Sequence, residues 1–455
     1  MSEPRRFTLA RTLLLAYAAP GLPLAALTLP VYILLPAFYA NAMGLGLAAV
    51  GTALLAARIW DAVSDPLIGY LSDKTKTRLG RRLPWIIGSS PLVLLGTWQL
   101  LLPPDGATLT HLIVWSIVLY TGWTGMVLPL SAMGAEITED YHERSRVSGF
   151  REGAILAGTL IALTLAGAFG AGDPARAGEA LGAIGWSVLI VLPIAVVLIS
   201  VTLGRPEMVA KMEPPAESRL TLKQRFLAIG RNAPFKRLMT AFLINAMANG
   251  LPATLFVFYV ETVLKRPDLT GPLLFGYFLT SVLAVPLWLW LSYRFGKHRI
   301  WCVAMFISCI CFLPAAFLGE GDTAWFVGVV VLTGLCLGAD LTLPASMQAD
   351  VVDVDTAETG ERRAGLFFAA WSMANKIALA LAVGITFPLL QLAGFDTDAV
   401  AQTDQALLAL ALLYAVAPIG FKIIAIGLIW RHPLDEQRVK TLREQPGSVL
   451  IPEGP

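Results

Sequence analysis

The sequence predicts an all-α membrane protein that crosses the bilayer twelve times, in two related six-helix halves with both termini on the cytoplasmic side. Three observations carry this prediction. Of 455 residues, 56% are hydrophobic and only 15% charged, where soluble domains carry roughly 25% charge. The mean hydropathy of +0.67 is too high for one anchor helix on a soluble domain. The Lys and Arg residues are also sorted to one side of the apolar runs.

Crossing ~30 Å of hydrocarbon takes ~20 apolar residues at 1.5 Å each. The first run, 12–39, follows a basic stretch and has no small-residue cleavage site, so it is expected to persist as a helix rather than leave as a signal peptide. The runs 46–72, 84–103, 111–136, 150–171 and 181–203 complete a first half, residues 1–203. Residues 204–237 read as a cytoplasmic linker. The runs 238–262, 271–293, 300–318, 325–350, 364–392 and 404–430 make a second half, 238–430, before a cytoplasmic tail, 431–455. With this assignment 27 Lys and Arg face the cytoplasm and only Arg176, Lys265 and Arg266 face away, which sets the topology as N-in and C-in. Cys302, Cys309, Cys311 and Cys336 fall inside apolar runs and read as small hydrophobes.

The halves echo one another at an offset of about 215 residues. Ala132-Met133-Gly134-Ala135-Glu136 closes the fourth run as Ser346-Met347-Gln348-Ala349-Asp350 closes the tenth. Leu71-Ser72 to Gly80-Arg81-Arg82 is repeated in outline by Leu291-Ser292 to His298-Arg299. Parallel six-helix halves are the arrangement of the major facilitator fold, whose solute site lies between the halves near the midplane.

Ionisable residues inside the runs are the candidate chemistry, because a charge at mid-bilayer costs ~2.5–3.5 kcal/mol on insertion scales. Asp61 lies twelve residues, or ~18 Å of helix, before the cytoplasmic Asp73. Asp61 and Asp65 stand at i and i+4, stacked on one helix face, and their repulsion calls for a counter-charge. Pro66 cannot donate to the carbonyl of Ala62, so that oxygen, the two carboxylates and the Ser64 hydroxyl form an oxygen-rich site suited to Na⁺ or a shared proton. A structural ion pair with Arg58 or Lys376 is the alternative. Lys376 and Asp340 lie deep in the second half, and Asn245 and Asn249 form an i, i+4 pair suited either to solute contact or to holding helices together. Lys422, nine residues before Arg431, is expected to snorkel to the interface. No nucleophile and base pair, metal cluster or Walker motif stands out, so no enzyme activity and no cofactor beyond the coupling ion are expected.

The stretch Arg58-Ile59-Trp60-Asp61-Ala62-Val63-Ser64-Asp65-Pro66-Leu67-Ile68-Gly69, the loop Asp73 to Arg82, and Gly134-Ala135-Glu136 through Arg144 resemble the glycoside-pentoside-hexuronide:cation symporters, the melibiose permease-like family of the major facilitator superfamily. Asp350 to Asp353, Gly360 to Arg363 and Lys376 continue the likeness. The same branch includes the sodium-dependent lysophosphatidylcholine symporters. The resemblance implies cation ligands at Asp61 and Asp65, with Ser64 where melibiose permease has an asparagine and Thr124 on a family hydroxyl. It implies a solute or gating role for Arg151 and Lys376, with Asp340 as a possible relocated carboxylate, and gating roles for Asp73, Arg82, Glu136, Arg144, Asp350 and Asp353. Two acids that hold galactosides are absent: the first-span position falls at Leu24 to Ala25 and the fourth-span position is Val127. Two cavity tryptophans are replaced by Ser131 and Leu341.

The expected function is therefore a cation-coupled (Na⁺ or H⁺) secondary symporter of a small polar solute, a sugar, glycoside or uronide. An anionic solute is favoured, because Arg151 and Lys376 outnumber acids free of the cation site. A lysolipid or other amphiphile is the alternative within transport, and a non-transporting receptor on a transporter scaffold the alternative outside it. The expected partners are the solute and the lipid bilayer, with no nucleic acid, in a monomer of a bacterial-type inner membrane.

Overall fold

The structure is a computed structural model that describes residues 9–28, 30–138, 140–170, 176–205, 229–359, 363–395, 402–433 and 441. Most of the expected linker and tail lies outside these residues. Among the described residues every regular element is helical, in twelve successive stretches. Nine are long and apolar enough to cross a membrane. The three that fall short are the first, which is broken; the second, which carries Arg58, Asp61, Asp65 and Asp73; and the third, 19 residues diluted by Gly88-Ser89-Ser90-Pro91.

The first stretch departs most from the expected single helix. Pro20, Pro23, Pro30 and Pro36 each remove a backbone donor. The chain answers with short helices, Arg11–Ala18 and Gly21–Ala26, and then wide π-type turns at Pro30–Leu34 and Phe38–Ala42. Other helices absorb an internal proline without breaking, among them Leu47–Lys74 at Pro66, Leu109–Glu136 at Pro129, Thr270–Phe295 at Pro286 and Thr323–Thr359 at Pro344.

Two helices outrun their apolar stretches. The fifth starts at Tyr141 rather than near 150, because Asp140 accepts from the backbone N–H groups of His142 and Glu143 and so caps a polar first turn. The tenth runs on past its apolar stretch to Thr359, carrying Asp353 and Asp355 on the helical extension. Asn232 and Thr403 cap the seventh and twelfth in the same way as Asp140.

The described residues fall into two compact units. The first lies within Met1–Leu222 and Val352–Ala369. Its core runs from Leu14 and Tyr17 through Leu112 and Leu119 to Ile199 and Leu203. The third and fourth helices approach closely at Gly122, where an added Cβ would lie 2.8 Å from both the Leu92 Cβ and the Val93 nitrogen. The second unit lies within Lys223–Val351 and Ala370–Lys440. Its core is aromatic, with Tyr259 stacked on Tyr414 at 4.2 Å and on Phe326 at 5.2 Å between centroids. Cys302, Cys309 and Cys336 are buried free thiols.

Candidate functional site

The second helix presents Asp61, Ser64 and Asp65 on its buried face, at 3%, 1% and 1% exposure. The fourth helix brings Thr124 against them: its Oγ1 lies 3.0 Å from Asp61 Oδ1 and 3.0 Å from Asp65 Oδ1. One hydroxyl proton serves one acceptor at full strength, so these three oxygens offer more acceptor than donor capacity, which suits a cation or a further proton. Ser64 donates its own proton to the Asp61 carbonyl at 3.0 Å, and its oxygen keeps its lone pairs. Ala62 is on the exposed face, so only its backbone oxygen belongs to the expected ligand set. Arg58 approaches Asp61 at 3.7 Å, longer than a hydrogen bond, and lies over the Tyr120 ring at 4.4 Å.

At the cytoplasmic end of this unit the charges are tightly paired. Asp73 accepts from Arg82 Nη2 at 2.6 Å, and its two oxygens also accept from the backbone N–H groups of Gly365 at 2.9 Å and Leu366 at 3.2 Å. It thus caps the helix Ala364–Leu392 with a full negative charge. Gly365 is required here, because a Cβ would lie 2.8 Å from Asp73 Oδ1 and 2.5 Å from the Gly69 carbonyl. Arg82 and Arg81 both reach Glu136, at 2.7 and 2.9 Å. Arg144 pairs with Asp353 at 2.9 Å and Arg363 with Asp355 at 2.8 Å. Arg151 turns back onto Glu152 at 2.6 Å. Its charge is therefore balanced, and the expected excess of basic groups that favoured an anionic solute is reduced.

In the second unit the structure brings together Asp340, Asn245 and Asn249 with Trp301, which sequence reasoning missed, and Lys422, which it had placed at the interface. Asp340 Oδ1 accepts from Trp301 Nε1 at 2.8 Å, and Oδ2 accepts from Lys422 Nζ at 2.8 Å and Asn249 Nδ2 at 3.2 Å. Lys422 also donates to Asn245 Oδ1 at 3.0 Å. Lys422 is only 5% exposed and does not snorkel. Its depth carried the signal, since nine residues place it ~13.5 Å below Arg431, and Asp340 has no basic residue within a turn of it on its own helix. Sequence neighbours on a helix point apart, yet the long Arg151 side chain folds back to reach Glu152. Asp350 pairs with Lys297 at 2.6 Å. Lys376 is half-buried, five residues past Trp371, whose ring stacks on Phe242 at 3.7 Å.

The profile of a family described as MFS/sugar transport protein matches residues 16–436. The chain belongs to that family. It is a major facilitator secondary transporter, an integral multi-pass membrane protein and not an enzyme. The sodium-dependent lysophosphatidylcholine symporter 1 of Xenopus tropicalis is 26% identical, over 89% of this chain and 82% of its own. A sphingosine-1-phosphate transporter of the same organism is 24% identical, over 84% and 80%. The fold is also that of a bacterial homologue of the iron transporter ferroportin in its outward-facing state, with a TM-score of 0.68 at 15% identity, over 92% of this chain and 99% of that one.

Proposed function

We propose that this transporter is a sodium-coupled symporter of a lysophospholipid-like amphiphile. The coupling part rests on one observation, the Thr124 hydroxyl set against both Asp61 and Asp65 in a buried pocket. Two carboxylates and a hydroxyl are hard oxygen ligands that favour Na⁺, and binding it offsets the repulsion between the acids. The amphiphile part is supported by the relatives, which carry lysophosphatidylcholine and sphingosine-1-phosphate, each a phosphate ester with a single long chain. The missing galactoside acids at Leu24 to Ala25 and Val127 point the same way. Lys376, half-buried in the second unit, is the proposed phosphate partner. The description of the family as sugar transporters favours a glycoside as the second reading.

The test is uptake of labelled lysophosphatidylcholine into proteoliposomes under an inward Na⁺ gradient, beside a panel of glycosides and uronides. Wild type should accumulate the lysolipid only with sodium, and Asp61→Asn and Asp65→Asn should each fall to the level of protein-free liposomes. Sodium-independent accumulation, full accumulation by either variant, or uptake of a glycoside alone would overturn the reading.

A further inference from the structure

The ninth helix, Lys297–Phe312, and the last, Ala417–Ile429, pack against one another in the second unit. Where the first begins and the second ends, on the cytoplasmic side, they enclose a cleft of about 490 Å³ lined by His298, Arg299, Trp430, Arg431 and His432. Its two histidines are buried, 7% exposed each, with ring centroids 6.4 Å apart. Arg299 and Arg431 stand exposed at its rim, and Trp430 is 55% exposed beside them.

Among the described residues, every one lining this cleft is basic or aromatic, and none is a carboxylate. Beside the cleft, Lys297 is paired with Asp350. The cleft also borders the start of a 16-residue helix with no side-chain cap at Gly296 and no acid in its own first turn, the positive end of that helix's dipole. Trp430 follows the last residue of a span, the depth at which tryptophan favours the headgroup layer. Below it, Val303, Phe306 and Ile423 are exposed apolar side chains on these two helices, a surface for acyl chains.

We propose that this cleft is a binding site for the headgroup of an anionic glycerophospholipid of the cytoplasmic leaflet, with its phosphate between Arg299 and Arg431 and its glycerol edge against Trp430. A free phosphate satisfies the arginines alone. The span-end position, the tryptophan and the apolar surface beneath it favour the lipid.

The experiment is native mass spectrometry of the purified full-length protein, delipidated and then offered phosphatidylglycerol or phosphatidylcholine. Wild type should retain one phosphatidylglycerol at concentrations where phosphatidylcholine is lost. Each arginine near an anionic surface is worth about fivefold in binding, so the double variant Arg299→Gln/Arg431→Gln should retain it about thirtyfold less well. Each single variant should lose about fivefold, which keeps the test open if the double variant fails to fold. Arg294→Gln, an exposed arginine of the same cytoplasmic segment that does not line the cleft, should behave as wild type. Equal retention by wild type and variants, an equal loss in Arg294→Gln, or displacement of the lipid by equimolar inorganic phosphate would overturn the proposal.

Discussion

Replacing Lys422 with Met tests whether the Asp340 cluster holds the second unit together. The variant keeps most of the side-chain volume and removes two bonds, 2.8 Å to Asp340 and 3.0 Å to Asn245. It leaves Asp340, 6% exposed, with the Trp301 and Asn249 donors but no positive charge. Breaking a buried ion pair from one side costs about 3–5 kcal/mol. Two effects soften this: hydrogen bonds between membrane helices average only about 0.6 kcal/mol, and a stranded carboxyl can take up a proton. The expected loss is therefore about 2–4 kcal/mol. The double variant Asp340→Asn/Lys422→Met carries no charge, keeps a similar shape, and should lie within about 1 kcal/mol of wild type. The coupling from the cycle should then be at least about 2 kcal/mol. Unfolding in mixed SDS micelles measures all four stabilities, and uptake in proteoliposomes runs beside it. A single-variant loss below about 0.5 kcal/mol, or a double-variant loss equal to the sum of the singles, would refute the packing argument. A double variant of restored stability and abolished uptake would show instead that the cluster touches solute.

Three other outcomes are expected. Asp73→Asn removes a charged acceptor from Arg82 and from the Gly365 and Leu366 amides, a loss of about 1.5–3 kcal/mol, and should speed hydrogen exchange at those two amides; unchanged protection would mean the cap contributes nothing. Gly122→Val drives a side chain into Leu92 and Val93 and should destabilise the protein by about 1–3 kcal/mol, read as a lower thermal midpoint, whereas a neutral effect would mean the third and fourth helices can separate freely. Burial, with the neighbouring His298 and Arg237 charges, pushes the His432 imidazole down to about 3. The unfolded chain then binds a proton that the folded one refuses as pH falls from about 6.5 to 3, so stability declines across that window. His432→Asn should flatten the decline in a melting-versus-pH series, and an identical slope would remove His432 as its cause.

What could be read from the sequence was whatever follows from one helix at a time. Apolar run length places the spans, charge sorting orients them, and i, i+4 spacing puts Asp61 and Asp65 on one face. Thr124 was reachable only through the family resemblance, because nothing along the chain says that a residue 63 positions from Asp61 will touch it. The same limit hid the Lys422 partnership with Asp340, 82 positions away. The first stretch was misjudged for another reason. Its hydropathy is continuous while its prolines are not compatible with one helix, and hydropathy was given the greater weight. Polar extensions such as residues 141–149 were missed because the membrane signal ends where the helix does not.

The interruptions in the helices have a history as well as a geometry. Pro129 and Pro344 interrupt the hydrogen-bond ladder of the fourth and tenth helices, and Pro66 and Pro286 that of the second and eighth, at close to the spacing that separates the repeated sequence stretches. The wide turn Phe38–Ala42 near the end of the first stretch has its counterpart in Tyr259–Val263 near the end of the seventh. The two halves thus share their imperfections as well as their apolar length. These flaws lie where a helix can flex, so each half inherited its own joints at the same stations, and the ability to bend is divided between the halves rather than lodged in one.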